Sequence, residues 1–262
     1  FYLGIDIHYS CIFNYLAGAT CNAGRVRGHF QQNCRLNIFY MSLYRFFLIG
    51  CGGLLLSLKV NAQAGFDSSY LTTYYEQKVS LFCLLPDTKN EIIFLGNSIT
   101  DIGEWSEIWQ NKNVKNRGIS SDNTFGVLAR LHEVLSSKPA KIFIMIGIND
   151  IARDTPDSII IRNYKKIIER VQTQSPETIL IVQSILPTNN DFKDFVRHQN
   201  KDEHIQYVNA RLKEFCIQQK IIYVNLHSYF LDENKKLNKQ FTNDGLHLTG
   251  AGFIKWKEVL IK

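Results

Sequence analysis

Residues 91–100 read EIIFLGNSIT, an apolar run of strand length that ends at a glycine and a serine. A strand that is covered on both faces loses the alternation of polar and apolar residues, so this run is typical of a buried parallel strand. In an open α/β sheet, the loop that leaves such a strand lies at the carboxyl edge, where ligands bind. Ser98 in this loop is therefore a candidate nucleophile, with its backbone N–H near the start of a helix.

Strands and helices alternate through the rest of the chain after residue 65. A leading helix is predicted over 67–84, and Asp122 is predicted to cap a later helix. Four further apolar segments predict strands, at 113–116, 141–146, 178–182 and 221–224. Because strands and helices alternate, we expect one α/β domain, with a five-stranded parallel sheet that carries helices on both faces.

Five polar positions are expected to meet at one edge of this sheet. Ser98, Gly118 and Asn149 follow strands whose carboxyl ends lie side by side. A histidine side chain has an unperturbed pKa of about 6.5, which suits a general base, so His247 is the candidate base and Asp244 three residues earlier can hold its ring. The N–H groups of Ser98 and Gly118 and the side-chain amide of Asn149 can donate to an oxyanion. The pattern predicts a serine hydrolase.

Four sequence blocks resemble those of one enzyme family: GNSI at 96–99, NRGIS at 116–120, GIND at 147–150 and DGLH at 244–247. In order and spacing they resemble the SGNH (GDSL-type) hydrolases over residues 65–262. The resemblance implies a three-layer, flavodoxin-like α/β fold and ester hydrolysis without a metal or other cofactor. It implies Ser98 as nucleophile with Asp244 and His247 completing the triad, and an oxyanion hole of Ser98, Gly118 and Asn149.

The family's usual Gly-Asp-Ser reads Gly-Asn-Ser in this chain, with Asn97 at the middle position. This resembles the branch of sialate O-acetylesterases and platelet-activating-factor acetylhydrolase-like enzymes. It implies small acyl esters as substrates, and O-acetyl carbohydrate esters are the first expectation. A lysophospholipase or thioesterase-type acylhydrolase is the catalytic alternative, and a glycan-binding module without activity is the alternative outside enzymes.

Three residues are candidate substrate contacts: Asn97, Trp105 and Arg153. Trp105 can stack on a sugar ring or pack in the core. Arg153 can touch substrate or form an ion pair with Asp150 or Asp154, and the ion pair is the favoured interpretation. A polar insertion is present at 189–201. The sequence does not show whether this insertion covers the predicted active site.

Charge and ligand spacing exclude other classes of function. The formal charge is +6, but the first 64 residues hold five Lys/Arg and one acid, which leaves 25 basic and 23 acidic residues. A balance of that kind predicts no nucleic-acid partner. No zinc site is predicted, because several histidines have no carboxylate or cysteine at ligand spacing, namely His132, His198, His204 and His227.

Residues 41–64 are predicted to be a signal peptide, with a short basic start, an apolar run and an Ala-x-Ala ending at Ala64. The run is too short for a stable membrane span, and lipidation at Cys51 is the alternative to cleavage after Ala64. Residues 1–40 are expected to be unstructured upstream translation. Residues 65–262 are therefore predicted to form a single secreted or periplasmic domain. In this domain, Cys83 and Cys216 are expected to be free thiols rather than a disulfide. The oligomeric state is not predicted.

Overall fold

A computed structural model describes residues 67–261. The predicted upstream stretch 1–40, the predicted signal peptide 41–64 and the alternative lipid anchor at Cys51 lie outside the described residues. All described residues belong to one compact unit.

Five parallel strands form the central sheet. They are β1 Ile92–Gly96, β2 Val114–Gly118, β3 Lys141–Met145, β4 Ile179–Gln183 and β5 Ile222–Val224. Their order is β2-β1-β3-β4-β5, and every neighbouring pair runs parallel. The chain leaves β1 toward one edge and later crosses back to β3, so the crevice at the carboxyl ends of β1 and β3 is a topological switch point. The predicted five-stranded α/β fold is confirmed, with strand ends shifted by one or two residues.

Helices cover both faces of the sheet. They are α1 Thr73–Leu84, α2 Ser98–Asp101, α3 Trp105–Ile108, α4 Thr124–Leu135, α5 Ile148–Ala152, α6 Asp157–Gln174, α7 Asp202–Gln218 and α8 Gly250–Leu260. Helix α6 packs between α4 and α7, α1 packs on α4, and α3 packs on α8. Right-handed crossovers place the first group and the α3–α8 pair on opposite faces.

The strand β1 is buried on both sides, as its unbroken apolar run predicts. Ile93, Phe94 and Leu95 are each 1% exposed. On one face the Phe94 ring stacks on Trp105, with ring centroids 3.9 Å apart. The nucleophile loop therefore leaves a strand that cannot shift without disrupting the core.

Two predicted helix starts were wrong. Helix α1 begins at Thr73, because Thr72 Oγ1 accepts the N–H of Tyr75 at 3.1 Å and so caps it. Helix α4 is capped by Asn123, not by Asp122. The Asp122 carboxylate turns instead toward a buried arginine.

That arginine, Arg130 on α4, is fully buried and joins the ends of two strands. Its Nη2 donates to the carbonyl of Gly96 at 3.3 Å and to that of Arg117 at 2.9 Å. Its Nε and Nη1 pair with Asp122 (2.9 Å) and Glu133 (3.1 Å). Burial acts to lower the pKa of Arg130, but the two carboxylates outweigh it and the pKa is raised. Arg130 is therefore a buried cation held at the carboxyl edge of the sheet.

Cys216 is a buried free thiol, so it does not pair with Cys83. Burial raises the pKa of Cys216 to about 11, which keeps the thiol protonated. Over residues 67–261, no helix combines the length and the apolar character needed to cross a bilayer.

Replacement of Arg130 by Met is expected to lower the free energy of unfolding by about 3–5 kcal/mol, because Asp122 would be left buried without its cation and Glu133 would keep only its ion pair with Arg117. Urea denaturation measures the change. The matched control is Arg211→Met, which breaks an exposed pair with Glu214 and should cost less than about 0.5 kcal/mol. A loss below about 1 kcal/mol for Arg130→Met would show that the buried cation is dispensable.

Candidate active site

Ser98 lies where β1 ends and α2 begins. Its Oγ is 2.8 Å from Nε2 of His247, which comes from a loop 149 residues further along the chain. Asn97 caps α2, since its Oδ1 accepts the N–H of Ile99 at 3.1 Å. The cap fixes the backbone of the residue before the serine and so sets the direction of the Ser98 side chain.

The loop at 242–248 presents the imidazole. Asp244 Oδ2 lies 2.7 Å from His247 Nδ1, while Asp244 Oδ1 accepts the N–H groups of Leu246 (2.8 Å) and His247 (2.7 Å). Gly245 has φ = 82°, a conformation that glycine adopts without strain, and this lets the loop turn back on itself.

The proton positions in this loop follow from the charge on Asp244. Burial acts to raise the pKa of Asp244, but the N–H donors of Leu246 and His247 outweigh burial and the pKa lies below its ordinary value. The carboxylate therefore stays charged and accepts Nδ1–H. A neutral His247 then presents the lone pair of Nε2 to the hydroxyl of Ser98, which is the arrangement of a general base.

Asn149 is the first polar side chain after β3. Its Nδ2 donates to the carbonyl of Asp122 at 2.8 Å, and its Oδ1 lies 2.9 Å from Nε2 of His198. One hydrogen of Nδ2 is used by Asp122, and the second makes no hydrogen bond among residues 67–261. Because β1 and β3 are neighbours, the amide lies at the same sheet edge as Ser98.

Gly118 does not supply the N–H that was predicted for it. Its N–H donates to Oδ1 of Asn116 at 2.8 Å and is already engaged. A Cβ on Gly118 would lie 2.2 Å from the backbone nitrogen of Asp101 and 2.5 Å from its Cα. Glycine is needed because the end of β2 packs directly against the backbone of α2, the helix that carries Ser98.

Two predicted substrate contacts are buried and cannot reach a ligand. Asn97 is 1% exposed and serves as the helix cap. Trp105 is also 1% exposed; its Nε1 donates to the carbonyl of Thr100 at 2.7 Å and its ring packs on Phe94. The prediction for Asn97 was wrong, and for Trp105 the core-packing alternative is confirmed; the sequence does not show which side of the α2–α3 segment faces the core.

Arg153 stands at the edge of the site. Its guanidinium donates to the carbonyl of Ser121 at 3.2 Å, whereas the favoured ion pair with Asp150 or Asp154 is not formed. Asp150 is buried and accepts the hydroxyl of Thr124, and Asp154 pairs with Lys201. Burial raises the pKa of Asp150 to about 7. Asp150 is therefore part of the packing behind Asn149.

The insertion at 189–201 lies against the site. The ring of Phe195 meets that of His247 edge to face, with centroids 4.7 Å apart. Phe195 has φ = 50°, a left-handed conformation that costs a non-glycine residue about 1–2 kcal/mol. His198 follows in the 3₁₀ turn Val196–His198 and reaches Asn149. Neither contact was predicted, since both depend on how the insertion folds back.

A cavity of about 480 Å³ adjoins the Asn149–His198 contact. It is lined by the end of α5 with the two residues that follow this helix, and by residues on either side of His198. They are Ala152, Arg153, Asp154, Val196, Arg197, Gln199 and Lys201. Most of these side chains are polar or charged, so the cavity offers hydrogen bonds rather than an apolar channel.

A parallel α/β sheet whose carboxyl edge joins a serine, a histidine and an aspartate in series defines the class of serine hydrolases. A model of the GDSL-like lipase/acylhydrolase family matches residues 94–253. The chain belongs to this family, and it is a carboxylic ester hydrolase.

Several solved structures are similar to this chain in fold. A Streptococcus pneumonia protein named for platelet activating factor is 27% identical, with a TM-score of 0.66 over 72% of this chain and 91% of that one. A GDSL-like lipase from Bacteroides thetaiotaomicron is 26% identical, with a TM-score of 0.61 over 71% and 95% of the two chains. An acetylxylan esterase from Geobacillus stearothermophilus shares the fold at 16% identity, with a TM-score of 0.54 over 67% and 95%. No curated protein sequence matches the chain.

Replacement of Gly118 by Ala is expected to destabilise the protein by about 1–3 kcal/mol and to lower esterase activity, because the new Cβ must push α2 and Ser98 away from β2. Urea denaturation and hydrolysis of p-nitrophenyl acetate measure the two effects. Gly250→Ala is the matched control, since no atom lies within 4 Å of its added Cβ. Equal behaviour of the two variants would contradict the close packing of α2.

Proposed function

We propose that this protein is an exported serine esterase that removes small acyl groups, above all O-acetyl groups of carbohydrates, through an acyl-serine intermediate. The observation that carries the proposal is the continuous hydrogen-bond path from Ser98 Oγ through His247 to Asp244, with distances of 2.8 and 2.7 Å. These distances are those of a nucleophile and base that need no rearrangement before reaction.

In the first half-reaction, Ser98 Oγ attacks the ester carbonyl carbon while His247 Nε2 takes the hydroxyl proton. Asp244 stabilises the imidazolium that forms. Collapse of the tetrahedral intermediate breaks the bond to the alcohol oxygen, and His247 returns its proton to that oxygen. The acyl group is then an ester of Ser98.

In the second half-reaction, His247 takes a proton from water, and the resulting hydroxide attacks the acyl-serine. Collapse of this intermediate releases the carboxylic acid and returns the proton to Ser98 Oγ. Both intermediates carry a negative oxygen, so the same hydrogen-bond donors serve both halves of the reaction.

The oxyanion donors we propose are the N–H of Ser98, the second Nδ2 hydrogen of Asn149 and the N–H of Ser121. Ser121 replaces Gly118 in this role. It is the third residue of a turn closed by the Asp122 N–H on the Ile119 carbonyl at 3.1 Å, and it has φ = 68°. Within the described residues, the Ser121 N–H makes no hydrogen bond, and it lies one residue from the carbonyl that holds Asn149.

Two features support a small, polar ester as substrate. The ring of Phe195 packs against one side of His247, so a bulky side chain stands beside the proposed base. The adjoining cavity offers Arg153 and Arg197 as donors to hydroxyl groups, where a fatty acyl chain would need an apolar wall. At 16% identity, the fold is shared by a protein named as an acetylxylan esterase, and the acetylated-sugar substrate is proposed on that analogy.

The test is hydrolysis of acetylated xylo-oligosaccharides and of p-nitrophenyl esters from acetate to laurate. We expect acetate release from the oligosaccharides and a kcat/KM at least about tenfold higher for the acetate than for the octanoate ester, a difference of ~1.4 kcal/mol in the barrier. A preference for long acyl chains would instead favour a lysophospholipase or thioesterase.

The same experiment tests the nucleophile. Ser98→Ala should lower kcat about 10³-fold or more and abolish labelling by a fluorophosphonate probe. Ser228→Ala is the matched control, because Ser228 is an exposed serine bonded only to a local carbonyl, and it should be labelled as the wild type is. Absence of labelling in the folded wild type would support a glycan-binding module without activity.

Export rests on the sequence at 41–64. When the full chain is expressed with its own leader, we expect the exported protein to begin at Gly65, as read by N-terminal mass spectrometry. If the mature protein instead begins at a lipid-modified Cys51, cleavage after Ala64 is wrong and the protein is anchored to a membrane by its lipid.

A further inference from the structure

Both ends of the Asn149 amide are held by other groups. Nδ2 lies 2.8 Å from the carbonyl oxygen of Asp122, and Oδ1 lies 2.9 Å from Nε2 of His198. A carbonyl oxygen can only accept, so the contact with Asp122 determines which end of the amide is nitrogen. The oxygen end therefore faces His198, and the imidazole must present an N–H at Nε2.

The surroundings of the other ring nitrogen, Nδ1, keep the imidazole of His198 neutral. Nδ1 is buried and makes no hydrogen bond among residues 67–261. A charged imidazole would place a second N–H there. Burial lowers the pKa of His198 to about 4, the positive charges of His247 and Arg153 act in the same direction, and the nearby carbonyl of Phe195 opposes them weakly. At neutral pH the ring is neutral and donates from Nε2 alone.

We propose that His198 is a positioning residue: its Nε2–H holds Asn149 Oδ1 away from the substrate, so that the free hydrogen of Nδ2 points at the developing oxyanion. The inference rests on the proposed function, which places Asn149 in the oxyanion hole. An asparagine amide has a broad, roughly two-fold torsion about its last bond. A flipped amide would turn an oxygen lone pair toward the negative charge.

The insertion is anchored without this imidazole. Asn189 Nδ2 donates to the carbonyl of Leu237 at 2.8 Å, and Asp191 forms an ion pair with Lys236 at 2.8 Å. Loss of the ring therefore removes the partner of Asn149 while leaving the segment attached. The insertion contributes to the chemistry through one donor, in addition to covering the site.

The experiment compares His198→Ala, His198→Gln and His198→Asn in the mature protein, with p-nitrophenyl acetate as substrate. Complete loss of an oxyanion donor costs roughly 10²–10³ in kcat. Because His198→Ala misorients a donor that is still present, we expect kcat to fall about 10- to 100-fold with KM changed less than about threefold. Gln reaches close to the position of Nε2 with an N–H and should restore most of kcat, whereas the shorter Asn should not.

A double-mutant cycle separates positioning from a general structural role. In an Asn149→Ala background, His198→Ala should lower kcat no further than about twofold, because the amide that it orients is gone. If the fold-losses of kcat in the two single variants multiply in the double variant, the proposal is wrong. Full activity of His198→Ala, or a kcat restored by Asn and not by Gln, would also overturn it. Thermal unfolding of every variant is measured alongside, and if Ala does not fold, the Gln–Asn pair decides.

Failure of this inference is distinguishable from failure of the proposed function. If Ser98→Ala removes activity while His198→Ala leaves kcat unchanged, the esterase proposal stands and the positioning role is wrong. If Ser98→Ala retains activity, the proposed nucleophile itself is wrong.

Discussion

The geometry of the site depends on the hydrogen bonds and ion pairs made by the buried guanidinium of Arg130. One of its nitrogens bonds the carbonyls of Gly96 and Arg117, the last parts of β1 and β2 before their functional loops. Another nitrogen pairs with Asp122, whose own carbonyl holds the amide of Asn149. The nucleophile loop and the oxyanion amide are thus tied to one buried cation. A buried ion pair contributes little net stability, but removing one partner is costly, so it holds a unique arrangement.

The chemistry also depends on protonation states that the surroundings impose. Asp244 receives N–H donors from its own loop and stays charged, which orients His247. His198 lies on a neighbouring element, is half-buried without a carboxylate partner and stays neutral, which makes its Nε2–H a donor. The two imidazoles lie close together but have opposite environments. One is prepared to accept a proton and the other is prevented from doing so.

The insertion at 189–201 gives this member of the family its particular site. It places an aromatic ring against His247 and an imidazole against Asn149, and it forms one wall of the polar cavity. The left-handed backbone at Phe195 indicates that the segment is held by its contacts rather than by local preference. In the mechanism proposed above, substrate size and oxyanion geometry are therefore linked through a single loop. Within the family, such a loop is where specificity can change while the sheet and the nucleophile stay the same.

The sequence by itself determined what depends on local spacing. Segments of strand length that alternate with helices predicted five parallel strands, and the unbroken apolar run of β1 predicted its burial on both faces. Asp244 and His247 were predictable as a pair, because they are three positions apart in a tight turn that contains Gly245.

Only the tertiary structure decided which groups point into the site. Gly118 matched the pattern, yet its N–H is taken by Asn116, and Trp105 turned into the core. His198 had no local signal beyond being a histidine without ligand partners, because its partner Asn149 lies 49 residues away. Side-chain direction and long-range hydrogen bonds arise from the packing of distant segments, and local sequence carries no record of that packing.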